Sequence, residues 1–301
     1  MKRRFAMTRT EPPARTRFET AFSLVEILVA VTLMSIIVLG LMAMFAQTQR
    51  AFRTGMTQAD IMEGGRAAME MIPRELEQMR PTGLSDSLTF YARWNNFINI
   101  QSLPGGPTDP VQRRTNITQD ILFTARDSLN PQQWNGIGYR VVFNDGIVGT
   151  LYRFETNCSV LDTLGVRRMG VTTFNMPSNR VVDGVLHFRV LAYDSNGQLI
   201  VPGRPYVVPN SVDGSIGVTN NVPGELSYEY HFRSNAVPAY LELELGLLEK
   251  KTLDRVRNVA LGATTAVLVQ RQNDYLTNKV GAVQVFRQRI PIRNVDPTVF
   301  Q

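Results

Sequence analysis

Apolar and polar positions divide the chain into two regimes that meet near residue 80. From Ile27 to Ala46, twenty consecutive residues (ILVAVTLMSIIVLGLMAMFA) carry no charge. At about 1.5 Å per helical residue the run is about 30 Å long, the thickness of a bilayer's hydrocarbon core. Thr32 and Ser35 can return their hydroxyls to the helix itself, and Gly40 is tolerated in a membrane helix. A secretory signal would have a shorter apolar region, about 7–15 residues, closed by a small-residue cleavage site. Here Gln47, Thr48, Gln49 and Arg50 follow with no such site before them. Helix formers then continue through Phe52, Met56, Ala59, Ile61, Met62 and the 66–79 stretch at a rough 3–4 spacing, so a retained, extended helix is expected. Gly64-Gly65 marks a bend or a close backbone approach. Pro73 marks an adjustment, and Pro81 with Gly83 ends the run.

Beyond Leu84 the period changes to that of strands. Short β-branched or aromatic segments occur at Leu88–Tyr91, Ile121–Ala125, Tyr139–Phe143, Gly149–Phe154, Val185–Tyr193, Gln198–Val201, Tyr228–Phe232 and Tyr240–Leu245. Asn144-Asp145-Gly146 and Asp194-Ser195-Asn196-Gly197 read as hairpin turns. Tyr240–Leu245 alternates cleanly, which suits an antiparallel strand with one wet face. Gly105–Pro110 and Val201–Gly224 read as exposed loops, Leu253–Thr277 as containing a helix, and Ala282–Ile292 as a closing strand. The expected fold class is α+β, a long N-terminal transmembrane helix packed on an antiparallel β-sheet.

Charge changes the picture in one place. The chain of 301 residues has a formal net charge of +6. Residues 1–21 hold Lys2, Arg3, Arg4, Arg9, Arg15 and Arg17 against Glu11 and Glu19, which is +4 of that total. The basicity therefore belongs to a leader, where Lys and Arg set membrane orientation. The remainder has no basic run interleaved with aromatics, so no nucleic-acid partner is expected. A single cysteine, Cys158, excludes an intrachain disulfide and a cysteine-rich zinc site.

Little else suggests chemistry. His187 and His231 both lie in strand patterns without a ligand cluster, and no G-x-S-x-G, phosphate loop or His-Glu-x-x-His is present. Glu242 and Glu244 share one strand face, as solvated strand edges commonly do. Asp194 and Asn196 are weak calcium candidates, because a true EF-type loop needs more carboxylates and a terminal Glu. No enzyme activity and no cofactor are expected.

Glu26 breaks the apolar pattern at its start. A carboxylate near hydrocarbon is expensive. It is either an N-terminal acid favoured by the helix dipole or a group that needs a partner charge. The segment Ala21-Phe22-Ser23-Leu24-Val25-Glu26-Ile27-Leu28-Val29-Ala30, after a basic leader and before about twenty apolar residues, resembles the prepilin signature of type IV pilins and type II secretion pseudopilins. Val182–Ile200 with Pro238–Leu245 loosely resembles strands of the J-type minor pseudopilins. The resemblance implies a pilin-like fold and cleavage by a prepilin peptidase between Ala21 and Phe22. It further implies N-methylation of Phe22, and pairing of Glu26 with the N-terminus of a neighbouring subunit. Two departures stand out: Ala21 replaces the family's usual Gly before the cut, and the proline many pilins carry partway along this helix is missing.

The implied organisation is a removed cytoplasmic leader (1–21), a transmembrane part of the long helix (22–46), an extramembrane part (47–80) and a soluble antiparallel-sheet domain (81–301). The implied setting is the bacterial inner membrane, single-pass, with the leader cytoplasmic and the C-terminal domain periplasmic or extracytoplasmic. The implied partners are other pilin or pseudopilin subunits, the peptidase and an inner-membrane assembly platform. The size favours a minor subunit of a type II secretion pseudopilus or type IV pilus. A second reading remains open: a permanently membrane-anchored extracytoplasmic binding protein or enzyme that joins no filament.

Overall fold

Uninterrupted helix formers from Leu24 onward give one helix of 53 residues, α1 (Leu24–Leu76). The computed structural model describes residues 23–85, 87–102, 113–127, 130–144, 146–175, 178–207, 216–220, 228–259 and 265–300. The chain divides into two units, 1–54 and 55–301, and α1 contributes to both. In the first unit the large apolar side chains of α1 are exposed, including the consecutive Ile27, Leu28 and Val29. Successive helical residues turn by about 100°, so these three already face three different directions and no polar face exists.

In the second unit α1 is amphipathic. Ala68, Met69, Ile72 and Leu76 are buried at the 3–4 spacing of one helical face. Ile72 and Leu76 are wholly inaccessible, and each burial contributes about 1.5–3 kcal/mol relative to exposure. The helix is continuous through Gly64-Gly65 and through Pro73 to Leu76. Of the two readings of Gly64-Gly65, the close approach is present, although to a side chain: a Cβ on Gly65 would overlap the Phe286 ring.

The sheet is built from β1 (Leu88–Ser102), β2 (Arg113–Arg126), β3 (Gln133–Val142), β4 (Gly149–Ser159), β5 (Ser178–Tyr193), β6 (Ile216–Asn220), β7 (Tyr228–Arg233), β8 (Tyr240–Leu248) and β9 (Val283–Pro291). Among the described residues its order is β6-β7-β1-β2-β3-β4-β5-β8-β9, with neighbours antiparallel. One further, parallel pairing joins Thr118 of β2 to Phe188 of β5. The C-terminal half of β2, from Ile121 to Arg126, pairs with β3, while its earlier part meets β5. The β3–β4 hairpin is thus an excursion, and β2 and β5 meet beside it along a short seam.

One sheet face and α1 enclose the main core, which includes Phe90, Phe123, Tyr139, Leu243 and Leu245. A smaller core forms where Leu186, Leu248 and Val283 meet α3 (Lys250–Asn258) and α4 (Thr265–Thr277) through Leu253, Val256 and Leu276. The class is α+β, with a long apolar N-terminal helix and a large antiparallel sheet.

Several expectations need correction. The Leu253–Thr277 segment does contain helix, but in two pieces: α3 starts upstream at Lys250 and ends at Asn258, and α4 covers Thr265–Thr277, with 260–264 outside the described residues. Val201–Gly224 is not loop throughout, because Ile216–Asn220 pairs with β7 as β6. Gln198–Val201 does not form a strand; only Leu199 bridges back to Tyr193. An unpredicted helix, α2 (Thr163–Thr172), starts where the Asp162 carboxylate accepts from Gly165 N at 2.9 Å. Gly136 and Gly138 of β3 admit the chain that follows it. A Cβ at these positions would come within 2.8 Å of Thr173 Oγ1 and 2.9 Å of Phe174 Cε1. The Gly105–Pro110 loop and Asp145 of the first predicted turn lie outside the described residues.

Candidate functional site

Two groups of residues stand out, one in each unit. The first is the start of α1. Ala21 and Phe22 lie outside the described residues. Glu26 occupies the first turn of α1, its amide donating to Ser23 O at 3.0 Å. A carboxylate is favoured there by the positive end of the helix dipole. Ala30, Met34 and Val38 follow Glu26 at intervals of four, so the acid heads an apolar stripe. The polar side chains within the span bond to their own helix: Thr32 Oγ1 donates to Val29 O and Ser35 Oγ to Val31 O, each at 2.8 Å. Such back-bonding satisfies hydroxyls where water is absent. The helix is long and apolar enough to cross a membrane.

The second group lies in the sheet domain, on the β5–β8–β9 face opposite the main core. Glu244 was expected on a solvated face, but β8 is an interior strand and its side chain is 3% exposed. Three groups surround the carboxylate. Arg189 Nε donates to Oε2 at 2.8 Å, the His187 Nε2 lies 3.1 Å from the same oxygen, and Arg287 pairs with Oε1. These residues are cross-strand partners, Arg189↔Glu244 on β5–β8 and Glu244↔Arg287 on β8–β9. Burial alone would raise the Glu244 pKa. His187 and the two guanidiniums outweigh it and hold the acid at about 2.

His187 is not on a free surface either; it is 3% exposed. Its Nδ1 accepts the Ile117 amide of β2 at 3.0 Å. An imidazole that accepts at Nδ1 carries its proton on Nε2, so the ring donates to Glu244 and is neutral. Burial pushes its pKa below the ordinary histidine value, and Arg189 and Arg114 add to that against the pull of Glu244. Gly246, opposite His187 on β8, makes room for the ring, since a Cβ would lie 2.8 Å from His187 Cβ and 3.2 Å from Arg114 Nη2. Gln119 mirrors His187 across the seam, its Oε1 accepting Val190 N at 2.6 Å while Nε2 donates to Tyr228 O at 2.7 Å.

The remaining candidates sit in local hydrogen bonds and packing contacts. Asp194 is buried, and its Oδ1 accepts the amides of Asn196 and Gln198 at 3.0 and 2.8 Å while Oδ2 accepts Tyr206 Oη at 3.0 Å. Those bonds close the turn. Asn196 contributes its backbone amide to that turn. Among the described residues no group of three His, Cys, Asp or Glu is placed to hold a metal ion. Glu242 accepts from Tyr193 Oη at 3.1 Å. His231 Nε2 lies 3.4 Å from Glu229 Oε1, with its ring 4.7 Å from that of Tyr91. Half-buried Cys158 packs beside Trp134, Val166 and Met169, and burial pushes its thiol pKa up, away from reactivity.

Sequence reasoning missed Arg189, Arg287 and Gln119 as members of the buried network. The one available signal was the single intervening residue that puts His187 and Arg189 on one face of β5, as Glu242 and Glu244 are on β8. No protein-family model, no curated protein and no solved structure matches this chain.

Proposed function

We propose that this protein is a structural subunit of the pilin and pseudopilin kind, anchored in a membrane by α1 and assembled through it into a filament. The observation that carries the reading is the apolar half of α1, exposed in every direction, with a single acid at its head. A helix of that composition requires an apolar surrounding. A bilayer provides one before assembly, and the packed helices of neighbouring subunits provide another after it. In this reading a peptidase cuts between Ala21 and Phe22, and the new amino group of one subunit meets Glu26 of its neighbour. The pairing removes the cost of an isolated carboxylate in hydrocarbon, a few kcal/mol towards the bilayer centre.

The sheet domain supplies recognition and not catalysis. Its buried polar groups hold strands together, and Cys158 and the two histidines lie in packing or hydrogen-bonded roles. The experiment is crosslinking in the native host, with photoreactive residues placed at Ala30 or Val38. Ladders containing other subunits with the same kind of N-terminal segment are expected. Recovery of uncrosslinked monomer alone would favour a permanently anchored binding protein or enzyme.

A further inference from the structure

The β2–β5 seam has an unusual construction. Among the described residues one ladder pair crosses it, Thr118↔Phe188. On either side, a backbone amide is satisfied by a side chain from the opposite strand: Ile117 N–H by His187 Nδ1 and Val190 N–H by Gln119 Oε1. Both amides are in the sheet interior, where an unmet donor is costly. The two acceptors differ in one chemical respect. An amide oxygen keeps its lone pairs at any ordinary pH, whereas Nδ1 loses its lone pair when the ring takes a second proton.

We infer that His187 is a proton-sensitive latch, so that acid opens the β2–β5 seam by converting its Nδ1 from an acceptor into a donor aimed at the Ile117 amide. The groups facing the ring come from four strands: Glu244 from β8, Arg189 from β5 itself, Arg114 from β2, and Arg287 of β9 on the far oxygen of Glu244. Glu244 favours a charge on the ring, but burial together with Arg189 and Arg114 outweighs it. In the closed seam burial holds the ring's pKa below the ordinary histidine value, so it takes up a proton less readily there. In the open seam it is hydrated and regains an ordinary pKa of about 6.5. The open state therefore binds more protons, and its population grows as the pH falls below about 6.5, by at most about tenfold per pH unit. This inference is independent of the filament reading.

The test is backbone amide exchange, corrected for the intrinsic pH dependence of exchange, on the full chain in detergent micelles between pH 7.5 and 4.5. Protection of Ile117 and Val190 should fall together, by up to about 50-fold between pH 6.5 and 4.5, while Leu243 in the β8 ladder holds. His187→Gln, which offers an amide oxygen as Gln119 does, should flatten that dependence. Protection that is independent of pH in the wild type, or an equal acid loss in His187→Gln, overturns the latch. If that variant does not fold, the wild-type imidazole nitrogen shifts decide. A charged ring appearing in step with Ile117 exchange supports the latch. A ring that charges without any loss of Ile117 protection, or one that stays neutral with protection unchanged to pH 4.5, overturns it.

Discussion

Gly65 of α1 lies against the ring of Phe286 of β9, so close that a Cβ on Gly65 would overlap Cε2 and Cζ. Helix and sheet edge meet there because one partner has no side chain. Gly65→Ala should destabilise the sheet domain by about 1–3 kcal/mol through overpacking, despite the better helix propensity of alanine. A trimmed ring in Gly65→Ala/Phe286→Leu should recover part of the loss. Urea unfolding followed by tryptophan fluorescence checks both, and additive losses in the double variant would exclude the contact as the cause.

Glu75 ties the same helix to the β3–β4 hairpin. It accepts from Arg153 Nε at 2.9 Å and from the Tyr139 hydroxyl, whose pKa is pushed well up by burial and by the carboxylate. Both ion-pair partners are under a fifth exposed. Glu75→Gln should cost about 1–3 kcal/mol, since a charge-assisted bond is lost and Arg153 is left with the more exposed Glu155. A shift of the urea midpoint with unchanged slope is the expected signature. Tyr139→Phe should cost less, because no charge is stranded.

How much of this was legible in the sequence follows from what hydropathy can see. The apolar run, the strand character of Tyr240–Leu245 and the closing strand β9 are all visible in it. The burial of Glu244 is not, because it depends on β9 pairing beyond β8 and on two arginines distant in sequence. β1 and β2 extend far past their predicted apolar segments. Their added length carries Asn116, Thr118 and Gln119, polar residues whose burial is set by tertiary partners. β6 is five residues within a turn-rich stretch, and α2 owes its place to Asp162 and to two glycines on another strand. The start of α1 is the reverse case: the sequence carries its whole pattern, and Ala21 and Phe22 lie outside the described residues.

Acid stability should report Glu244. Its folded pKa of about 2 lies below the usual glutamate value of about 4.3, so its contribution is present above that value and is lost as the pH falls from there towards about 2. Glu244→Gln should remove this limb of the stability profile. It should also cost about 3–5 kcal/mol at pH 7, because Arg189 is left buried without its carboxylate. Chemical denaturation at a series of pH values separates the two effects.

Glu26→Ala tests the proposed role of that acid in assembly. Membrane insertion depends on the apolar run and should persist, as should cleavage at Ala21–Phe22. Incorporation into crosslinked assemblies should fall at least tenfold. Normal incorporation would leave the dipole preference of the first helical turn as the only role for that acid.

The most direct measurement of the central claim is the mass of the N-terminal peptide, taken from protein isolated from its native membranes. A peptide beginning at N-methylated Phe22 is the predicted result. An intact Met1, or a new terminus after Ala46, would contradict the assembly of α1 into a filament.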